Sequence, residues 1–281
     1  MNHKAALEFL GRRGNEVLGI HLGLHRTVAL MEALGNPHRQ YPVLHIGGTN
    51  GKGSVAAMSE SILRCAGWKT GLYTSPHLIR VEERIRIGGR EIAPRKLASL
   101  VSRIRDAEAS LLIEKRLERS LTWFEFITCC AFLCFAQEKV DIAVVEVGLG
   151  GTMDATNVVC PRVCIITTVS YDHQDLLGKT LAAIAGEKAG ILKPGVPAIT
   201  ACKARSALRV IRRTARVKGA PLVELDRDCR IRILGQSGGC FNFDLQTPQG
   251  RYRSLRLSLA GRYQVRNASA AFCAVEALQP R

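Results

Sequence analysis

The feature that most constrains the fold of this chain is a glycine-rich segment, residues 45–54 with the sequence HIGGTNGKGS, between two apolar stretches. Val43–Ile46 is a short apolar run, and Val55–Cys65 has apolar residues at the spacing of one helix face, so we expect a buried strand before the segment and a helix after it. Glycines allow the backbone to approach a ligand closely, and N–H groups at a helix start attract anions. The pattern predicts a phosphate-binding loop, and a glycine-rich turn without a ligand is the alternative.

The side chains of this segment also suit a nucleotide. Lys52 can contact the β- and γ-phosphates, and the Ser54 hydroxyl can meet the accompanying metal ion. The common P-loop pattern places Lys directly before Ser or Thr, whereas Gly53 separates the two residues here, which disfavours an ordinary kinase or GTPase. We therefore expect a nucleotide-binding set made of Asn50, Gly51, Lys52, Gly53 and Ser54.

Length and composition set the bounds of the fold. With 281 residues, 47% of them hydrophobic, the chain can bury the core of one large α/β domain or of two small ones. It has no run of about 18 apolar residues and no secretory signal at its start, so we expect a cytoplasmic protein without membrane contact. Ten cysteines occur without a C-x-x-C pair, which favours buried free thiols over a zinc site or a disulfide framework.

The charge is strongly basic, at +16, and it is concentrated late in the chain. From residue 201 onward there are 16 Lys and Arg against five Asp and Glu. A basic surface attracts polyanions, but aromatic residues are scarce and no nucleic-acid-binding motif is present. We therefore expect a solvated basic surface and no nucleic-acid partner. A basic nucleic-acid-binding ATPase remains an alternative that rests on charge alone.

A repeated order of strand, loop and helix indicates an α/β fold with a parallel sheet and helices on both faces. The predicted strands are Val43–Ile46, Lys69–Tyr73, Asp141–Val147, Val163–Val169 and Val196–Thr200, with a hairpin over residues 84–92. The predicted helices are Val55–Cys65, one from Pro94 to about Leu117, Trp123–Gln137 capped by Thr122, and a final helix from about Arg262. A further basic helix is predicted to carry Arg209, Arg212, Arg213, Arg216 and Lys218. Residues 222–258 form a predicted β-rich subregion, and no linker divides residues 1–281.

Three loops follow the strongest strands, at residues 47–54, 146–157 and 170–175. In open parallel sheets, ligands bind beyond the carboxyl ends of the strands. We therefore expect these three loops to converge on one site.

The residues now carry a resemblance to a known family. Five blocks resemble the folylpolyglutamate synthase and dihydrofolate synthase family, relatives of the Mur ligases, in order and in spacing: HIGGTNGKGS at 45–54, YTSPHL at 73–78, TWFEF at 122–126, EVGLGGTMDATN at 146–157 and DHQDLLGKTLAAIAGEKAGILKPG at 172–195. A sixth block, GRYQVRNASAA at 261–271, is similar to the segment on the adenine side of the family's ATPase domain. The resemblance covers nearly the whole chain and implies the fold of the Mur ligase central domain.

The resemblance implies an ATP-dependent ligase that uses Mg²⁺. Such enzymes phosphorylate a carboxylate of a pteroate or folate, and the amine of L-glutamate attacks the acyl phosphate. By matched motif, Ser75, Glu146 and His173 are expected at the metal. Because His173 is an imidazole, Mn²⁺ is expected to substitute. The alternatives are a capping or solvated loop residue for His173 and a carboxylate held by backbone N–H groups for Glu146.

Lys188 matches a lysine that is carbamylated by CO₂ in the family, and together with Lys52 and His173 it completes the expected catalytic set. The alternative for Lys188 is an ordinary lysine at a helix end. Gln264 and Asn267 are expected to reach the adenine.

The same resemblance implies a pocket for dihydropteroate or folate. Its expected lining is Thr122, Trp123, Phe124, Glu125, Met153, Asp154 and Ala155. Aromatic faces can stack on a pterin ring, and the Asp154 carboxylate can accept hydrogen bonds from its amino-pyrimidine edge. Trp123 could equally be part of the hydrophobic core.

Family members continue after the sixth block into a second domain, whereas this sequence ends at Arg281. We therefore expect the ATP-binding domain without the C-terminal ligase domain, and weak or absent ligation unless a second chain completes the cleft. Two function classes stay open: a ligase, and a nucleotide-binding module without ligase activity.

Overall fold

The structure, a computed structural model, describes residues 1–14 and 23–278. A main sheet contains β1 (Val43–Gly47), β2 (Thr70–Tyr73), β3 (Ile85–Ile87), β4 (Arg90–Glu91), β5 (Ile142–Glu146), β6 (Val163–Ile166), β7 (Ala198–Thr200) and β8 (Leu222–Glu224). A small sheet contains β9 (Arg230–Ser237), β10 (Cys240–Gln246) and β11 (Arg251–Leu257). The α-helices are α1 (His3–Gly11), α2 (His25–Ala33), α3 (Lys52–Cys65), α4 (Pro94–Ile113), α5 (Trp123–Gln137), α6 (Gln174–Leu177), α7 (Leu181–Ala189), α8 (Arg205–Val217), α9 (Leu225–Asp228) and α10 (Tyr263–Leu278).

The main sheet has the strand order β4-β3-β2-β5-β1-β6-β7-β8. Six strands are parallel, and β3 and β4 form an antiparallel hairpin at one edge. β1 lies at the centre, where Ile46 pairs with Glu146 of β5 and Gly47 pairs with Ile166 of β6. The carboxyl ends of these three strands therefore lie side by side, and the predicted α/β class is confirmed.

Successive side chains of β1 point to opposite faces of the sheet, and different helices cover the two faces. Val43 packs in a cluster with α4 and α5, whereas Leu44 and Ile46 pack in a second cluster with α3, α10 and the small sheet. A third cluster covers β6 and β7 with α7 and α8. Because both faces are covered, the central strands are apolar throughout, which is the pattern of a buried parallel sheet.

Some predicted boundaries differ from those of the structure. The helix from Pro94 ends at Ile113 and not near Leu117, because Lys115 adopts a left-handed backbone with φ of 57°. Leu117 is still buried in the core. The first three residues of the predicted β-rich subregion form β8, which pairs in parallel with β7 and belongs to the main sheet.

The thiols partly match the expectation. All ten cysteines are free, and eight are buried, but Cys65 and Cys160 are exposed. None of the described helices combines the length and the apolar character that a membrane crossing requires.

Candidate nucleotide and acyl-transfer site

The predicted phosphate loop joins β1 to α3 beneath the ends of β5 and β6. Gly48 has φ of 137°, and a Cβ there would lie 2.0 Å from Thr167 Oγ1, so only glycine fits. The loop is held against the end of β6, because Thr49 N donates to Thr168 O at 2.7 Å and Asn50 N donates to Thr168 Oγ1 at 3.1 Å. The backbone N–H of Asn50 is therefore engaged inside the loop.

Helix α3 begins at Lys52, three residues earlier than predicted, so Gly53 and Ser54 lie in its first turn. Gly51 precedes it with φ of 86° and contributes no side-chain cap, which leaves N–H groups of the first turn available to an anion. Lys52 Nζ donates to Thr49 O at 3.2 Å, so the ammonium group lies over the loop. This arrangement suits phosphate binding.

The start of α10 lies beside this loop. Gln264 Nε2 donates to Ser54 Oγ at 3.2 Å, and Asn267 Nδ2 donates to Gln264 Oε1 at 2.9 Å. A Cβ on Gly51 would lie 2.8 Å from Asn267 Oδ1. The structure therefore brings together the predicted nucleotide-binding residues from both ends of the chain.

Glu146 ends β5 next to the first turn of α3. Its side chain is buried, and a Cβ on Gly53 would lie 3.5 Å from Glu146 Oε2. Ser75 N donates to Glu146 Oε2 at 3.1 Å, which places the predicted Ser75 at the same carboxylate. A buried carboxylate beside a phosphate loop is a suitable ligand for a hard cation.

His173 lies in the loop after β6. It has φ of 44° and precedes the short helix α6. Its imidazole is half exposed and lies 3.4 Å from Asp172 Oδ1. Across residues 1–14 and 23–278, no three His, Cys, Asp or Glu side chains come together as a ready-made metal site. The predicted set would therefore hold a cation only with additional oxygens from water or phosphate.

Lys188, near the end of α7, lies beneath the phosphate loop and not at the surface. It is 2% exposed, and its Nζ donates to Gly48 O at 3.0 Å. Burial and the nearby charge of Lys52 lower the pKa of the Lys188 ammonium to about 8. A substantial fraction of this amine is therefore neutral and nucleophilic near pH 8.

The predicted pteroate-lining residues at the start of α5 form hydrogen bonds mainly with one another. Thr122 caps the helix by accepting from Glu125 N, and Glu125 Oε2 accepts from Thr122 N at 2.7 Å. Arg26, which the sequence analysis missed, forms a buried ion pair with Glu125 at 2.7 Å. No sequence signal identified Arg26, because it precedes Glu125 by 99 residues.

Both aromatic residues of this segment pack against neighbouring loops. Trp123 is 7% exposed, and the guanidinium of Arg84 lies 4.5 Å from its ring centroid. Phe124 packs so closely against Gly148 that a Cβ there would lie 2.3 Å from the ring. The structure therefore places Trp123 mainly in the core and Phe124 beside the loop after β5.

The loop after β5 is held by its own polar groups. Met153 is 47% exposed, whereas Asp154 and Ala155 are buried. Asp154 caps a short 3-10 turn by accepting from Thr156 N at 2.9 Å, and it also accepts from Leu149 N at 2.8 Å. Burial raises the pKa of Asp154, and these hydrogen bonds oppose that shift.

A second residue that the sequence analysis missed, His45, supports this loop from the sheet below. His45 Nε2 lies 2.9 Å from Thr156 Oγ1, whose hydroxyl donates to Asp154. Burial, aided by Lys193, lowers the pKa of His45 to about 3, so this imidazole is neutral. A polar residue inside the apolar run of β1 was the signal that could have identified it.

Known proteins resemble this chain over nearly its full length. Residues 46–275 match the Mur ligase middle domain. A dihydrofolate synthase/folylpolyglutamate synthase of Bacillus subtilis is 39% identical over 264 residues, covering 94% of this chain and 61% of that protein. Among solved structures, folylpolyglutamate synthase of Mycobacterium tuberculosis, complexed with ADP and AMPPCP, has a TM-score of 0.88 at 36% identity, covering 98% of this chain and 62% of that one.

Another solved structure, an FPGS–AMPPCP–folate complex, has a TM-score of 0.92 at 36% identity and covers 99% of this chain and 67% of that one. The chain thus spans about three fifths of the length of the Bacillus relative. The matched domain, the six sequence blocks and the shared fold agree. The chain belongs to the folylpolyglutamate synthase and dihydrofolate synthase family and contains its Mur ligase middle domain.

Proposed function

We propose that this chain is the ATP-binding part of a ligase that joins L-glutamate to dihydropteroate or to a folate. The observation that carries the proposal is the convergence of Lys52, Glu146 and Lys188 on one glycine-rich loop at the end of β1. These groups provide a phosphate contact, a buried carboxylate and a lysine amine with a lowered pKa. The names of the relatives, folylpolyglutamate and dihydrofolate synthases, support the same activity.

The proposed reaction has two steps. A carboxylate oxygen of the pteroate or folate attacks the γ-phosphorus of ATP, ADP leaves, and an acyl phosphate forms. The amine of glutamate then attacks the carbonyl carbon, phosphate leaves, and an amide remains. Because little covalent chemistry is required of the protein, positioning and charge neutralisation supply the catalysis. Lys52 and the N–H groups of the first turn of α3 would bind the phosphates.

The predicted metal site suits Mg²⁺, which uses one or two carboxylates and keeps several waters and phosphate oxygens. Glu146 would hold the cation, and Ser75 N already donates to Glu146 Oε2. When bound, the metal would neutralise part of the phosphate charge. His173 is the third predicted residue of this metal site. If it is a ligand, Mn²⁺ should replace Mg²⁺ with little loss, because imidazole suits softer cations.

Lys188 is proposed to carry a carbamate. Its neutral Nζ would attack CO₂ and lose a proton, which converts a cation into a carboxylate-like group. The pKa of about 8 supports this reaction, since only the neutral amine is nucleophilic. A carbamate in that position would compensate the positive charge of Lys52.

The pteroate or folate is proposed to bind between the start of α5 and the loop after β5. Met153 is the exposed apolar group there, and Phe124 lies at the edge of the same loop. Thr122, Trp123, Glu125, Asp154 and Ala155 would shape the pocket. A further segment or a second chain would close the cleft over the acyl phosphate, because such an intermediate must be kept from water.

A second candidate is a nucleotide-binding module without ligase activity. One observation favours it: Glu125 and Asp154 already accept hydrogen bonds from protein groups. If both carboxylates serve only the fold, the chain could bind ATP without selecting a pteroate.

The test is ADP formation by the purified chain with ATP and Mg²⁺, with dihydropteroate or tetrahydrofolate present or omitted, and with Lys52→Ala as the control for contaminating ATPase. Glutamate is then added and the product is identified by mass. We expect pteroate- or folate-stimulated ADP release. A glutamylated product would show a complete ligase. Nucleotide binding without stimulated ADP release would favour the second candidate.

A further inference from the structure

The small sheet has one apolar face and one face that is almost entirely polar and basic. Phe241, Phe243 and Leu245 of β10 are buried in the cluster that contains α3 and α10. The alternate residues of the same strand, Asn242, Asp244 and Gln246, therefore lie on the opposite, outer face. They are only partly buried.

Strand pairing places arginines on both sides of this polar strand. Arg230 of β9 and Arg251 of β11 both pair with Gln246. Arg232 pairs with Asp244, and Arg256 pairs with Asn242. Arg253 is exposed and, two residues after Arg251, shares its face. We define these five arginines, all exposed, as the arginine face.

Within the described residues, none of the five arginines of the arginine face forms an ion pair with a carboxylate. Asp244 is the acidic residue on the same face of β10, and it accepts a hydrogen bond from Ser254 N at 2.9 Å. Arg256 has only a 3.7 Å contact with Cys240 Sγ. By contrast, Arg212 of the basic helix α8 is paired with Glu224 at 2.6 Å.

The residues of the arginine face suit phosphates better than another protein surface. Protein interfaces combine arginine with apolar and aromatic centres, whereas the large apolar side chain exposed on β9–β11 is Leu234 at a bulge. The aromatic residues of the small sheet, Phe241, Phe243 and Tyr252, pack into the core. Stacking on unpaired bases is therefore not provided, which disfavours single-stranded nucleic acid.

We propose that the arginine face binds duplex DNA through its phosphates. Arginine forks recognise phosphate oxygens, and the two outer strands lie about 10 Å apart, which is close to the width of about 12 Å of a major groove. Asn242 and Gln246 occupy the strand between them, where amide side chains can meet base edges. A general solvated basic surface was predicted from the sequence, but the strand register collects these five arginines on one face.

The test uses the whole chain and a fluorescein-labelled DNA duplex of mixed sequence, about two helical turns long, with anisotropy as the readout. Five phosphate contacts predict a slope of about −4.5 for log affinity against log salt. Affinity should therefore fall roughly 500-fold between about 50 and 200 mM salt. The proposal does not depend on ligase activity, because neither ATP nor a folate is present.

Two matched double variants separate the arginine face from overall charge. Arg230→Gln with Arg251→Gln should reduce the slope by about 1.8, since each lost phosphate contact contributes about 0.9. Arg209→Gln with Arg213→Gln removes the same charge from exposed positions of α8 and should leave the slope unchanged. Binding of an ATP analogue by each variant checks that it is folded.

Three results would overturn the proposal. One is an equal loss of DNA affinity in both double variants, which would mean attraction by net charge alone. Another is displacement of the duplex by poly-L-glutamate at equal charge concentration, which would indicate an acidic-polypeptide site. The third is tighter binding to vesicles of anionic lipid than to DNA, which would indicate a membrane surface.

Discussion

The phosphate loop and the predicted pteroate region lie at the same edge of the sheet, but they use their polar side chains differently. Within the described residues, the side chains of Lys52 and Ser54 each make one hydrogen bond, at 3.2 Å, and each could exchange it for a ligand. Glu125 accepts from Arg26 and from Thr122 N, and Asp154 accepts from Leu149 N and Thr156. One region keeps its polar groups exchangeable, and the other uses them to fix its own shape.

A residue of a matched motif can therefore act through the backbone that it holds in place. A buried carboxylate is tolerated when it is paired with a cation or hydrogen-bonded. Removing one partner of a buried ion pair leaves the other charge uncompensated. We therefore expect substitutions in the pteroate region to affect stability first, and substitutions at the phosphate loop to affect nucleotide binding first.

The largest effect is expected for Glu125→Ala. This change leaves the Arg26 guanidinium buried without its carboxylate and should lower the free energy of unfolding by about 3–5 kcal/mol. Urea denaturation measures the loss. Glu118→Ala, at an exposed position, is the control and should stay within about 0.5 kcal/mol of wild type. A loss below 1 kcal/mol for Glu125→Ala would show that the pair is not a structural element.

The second prediction concerns the stability that is lost by burying the Lys188 amine next to the phosphate loop. Its folded pKa of about 8 lies below the ordinary lysine value of 10.5, so the unfolded chain holds more protons between these pH values and the stability rises with pH across them. Relative to Lys188→Met, the unfolding free energy of wild type should increase by about 3 kcal/mol from pH 8 to pH 10.5. Thermal denaturation in CO₂-free buffer gives the difference, and a flat profile would contradict the lowered pKa.

Lys52→Ala should weaken binding of an ATP analogue about 100-fold, because a hydrogen bond to a charged group contributes about 1.5–3 kcal/mol. Its unfolding free energy should change little, since the contact of the Lys52 ammonium among the described residues is a single hydrogen bond to Thr49 O. Isothermal titration measures affinity, with Lys203→Ala at an exposed position as control. An unchanged affinity would remove Lys52 from the nucleotide-binding set.

The smallest effect is expected for Thr156→Val, which removes the hydroxyl between His45 and Asp154. The loss of this bridge should destabilise the fold by about 1–2 kcal/mol, while nucleotide affinity stays unchanged. Thr156→Ser keeps the hydroxyl and should restore most of the stability. If Thr156→Val instead weakened only nucleotide binding, the proposed division between the two regions would fail.

The order of strands and helices followed from apolar periodicity and glycine positions, because those signals are local. The extent of α4 did not follow, since the left-handed conformation of Lys115 has no strong residue preference behind it. The pairing of β8 with β7 did not follow either, because a strand of three residues is placed by its neighbour and not by its own pattern.

Within the site, motif matching identified the loop residues that meet, including Ser54 with Gln264. It did not identify Arg26 or His45, because their roles depend on contacts with residues 99 and 111 positions away. It also gave Glu125 and Asp154 as ligand contacts, and their hydrogen-bond partners were not accessible to the sequence. Contact with a ligand by these two residues stays a prediction.

The hydrogen bond between Gln264 and Ser54 spans 210 residues. Contacts of such sequence separation form late, since the loop that they close is long and its entropy must be overcome. During synthesis, the phosphate loop is complete long before α10 emerges from the ribosome. If Gln264 and Asn267 contact the nucleotide, as the sequence predicts, nucleotide affinity will also report whether α10 has docked on the loop. A bound nucleotide would then favour the form with α10 docked over any intermediate that lacks this contact.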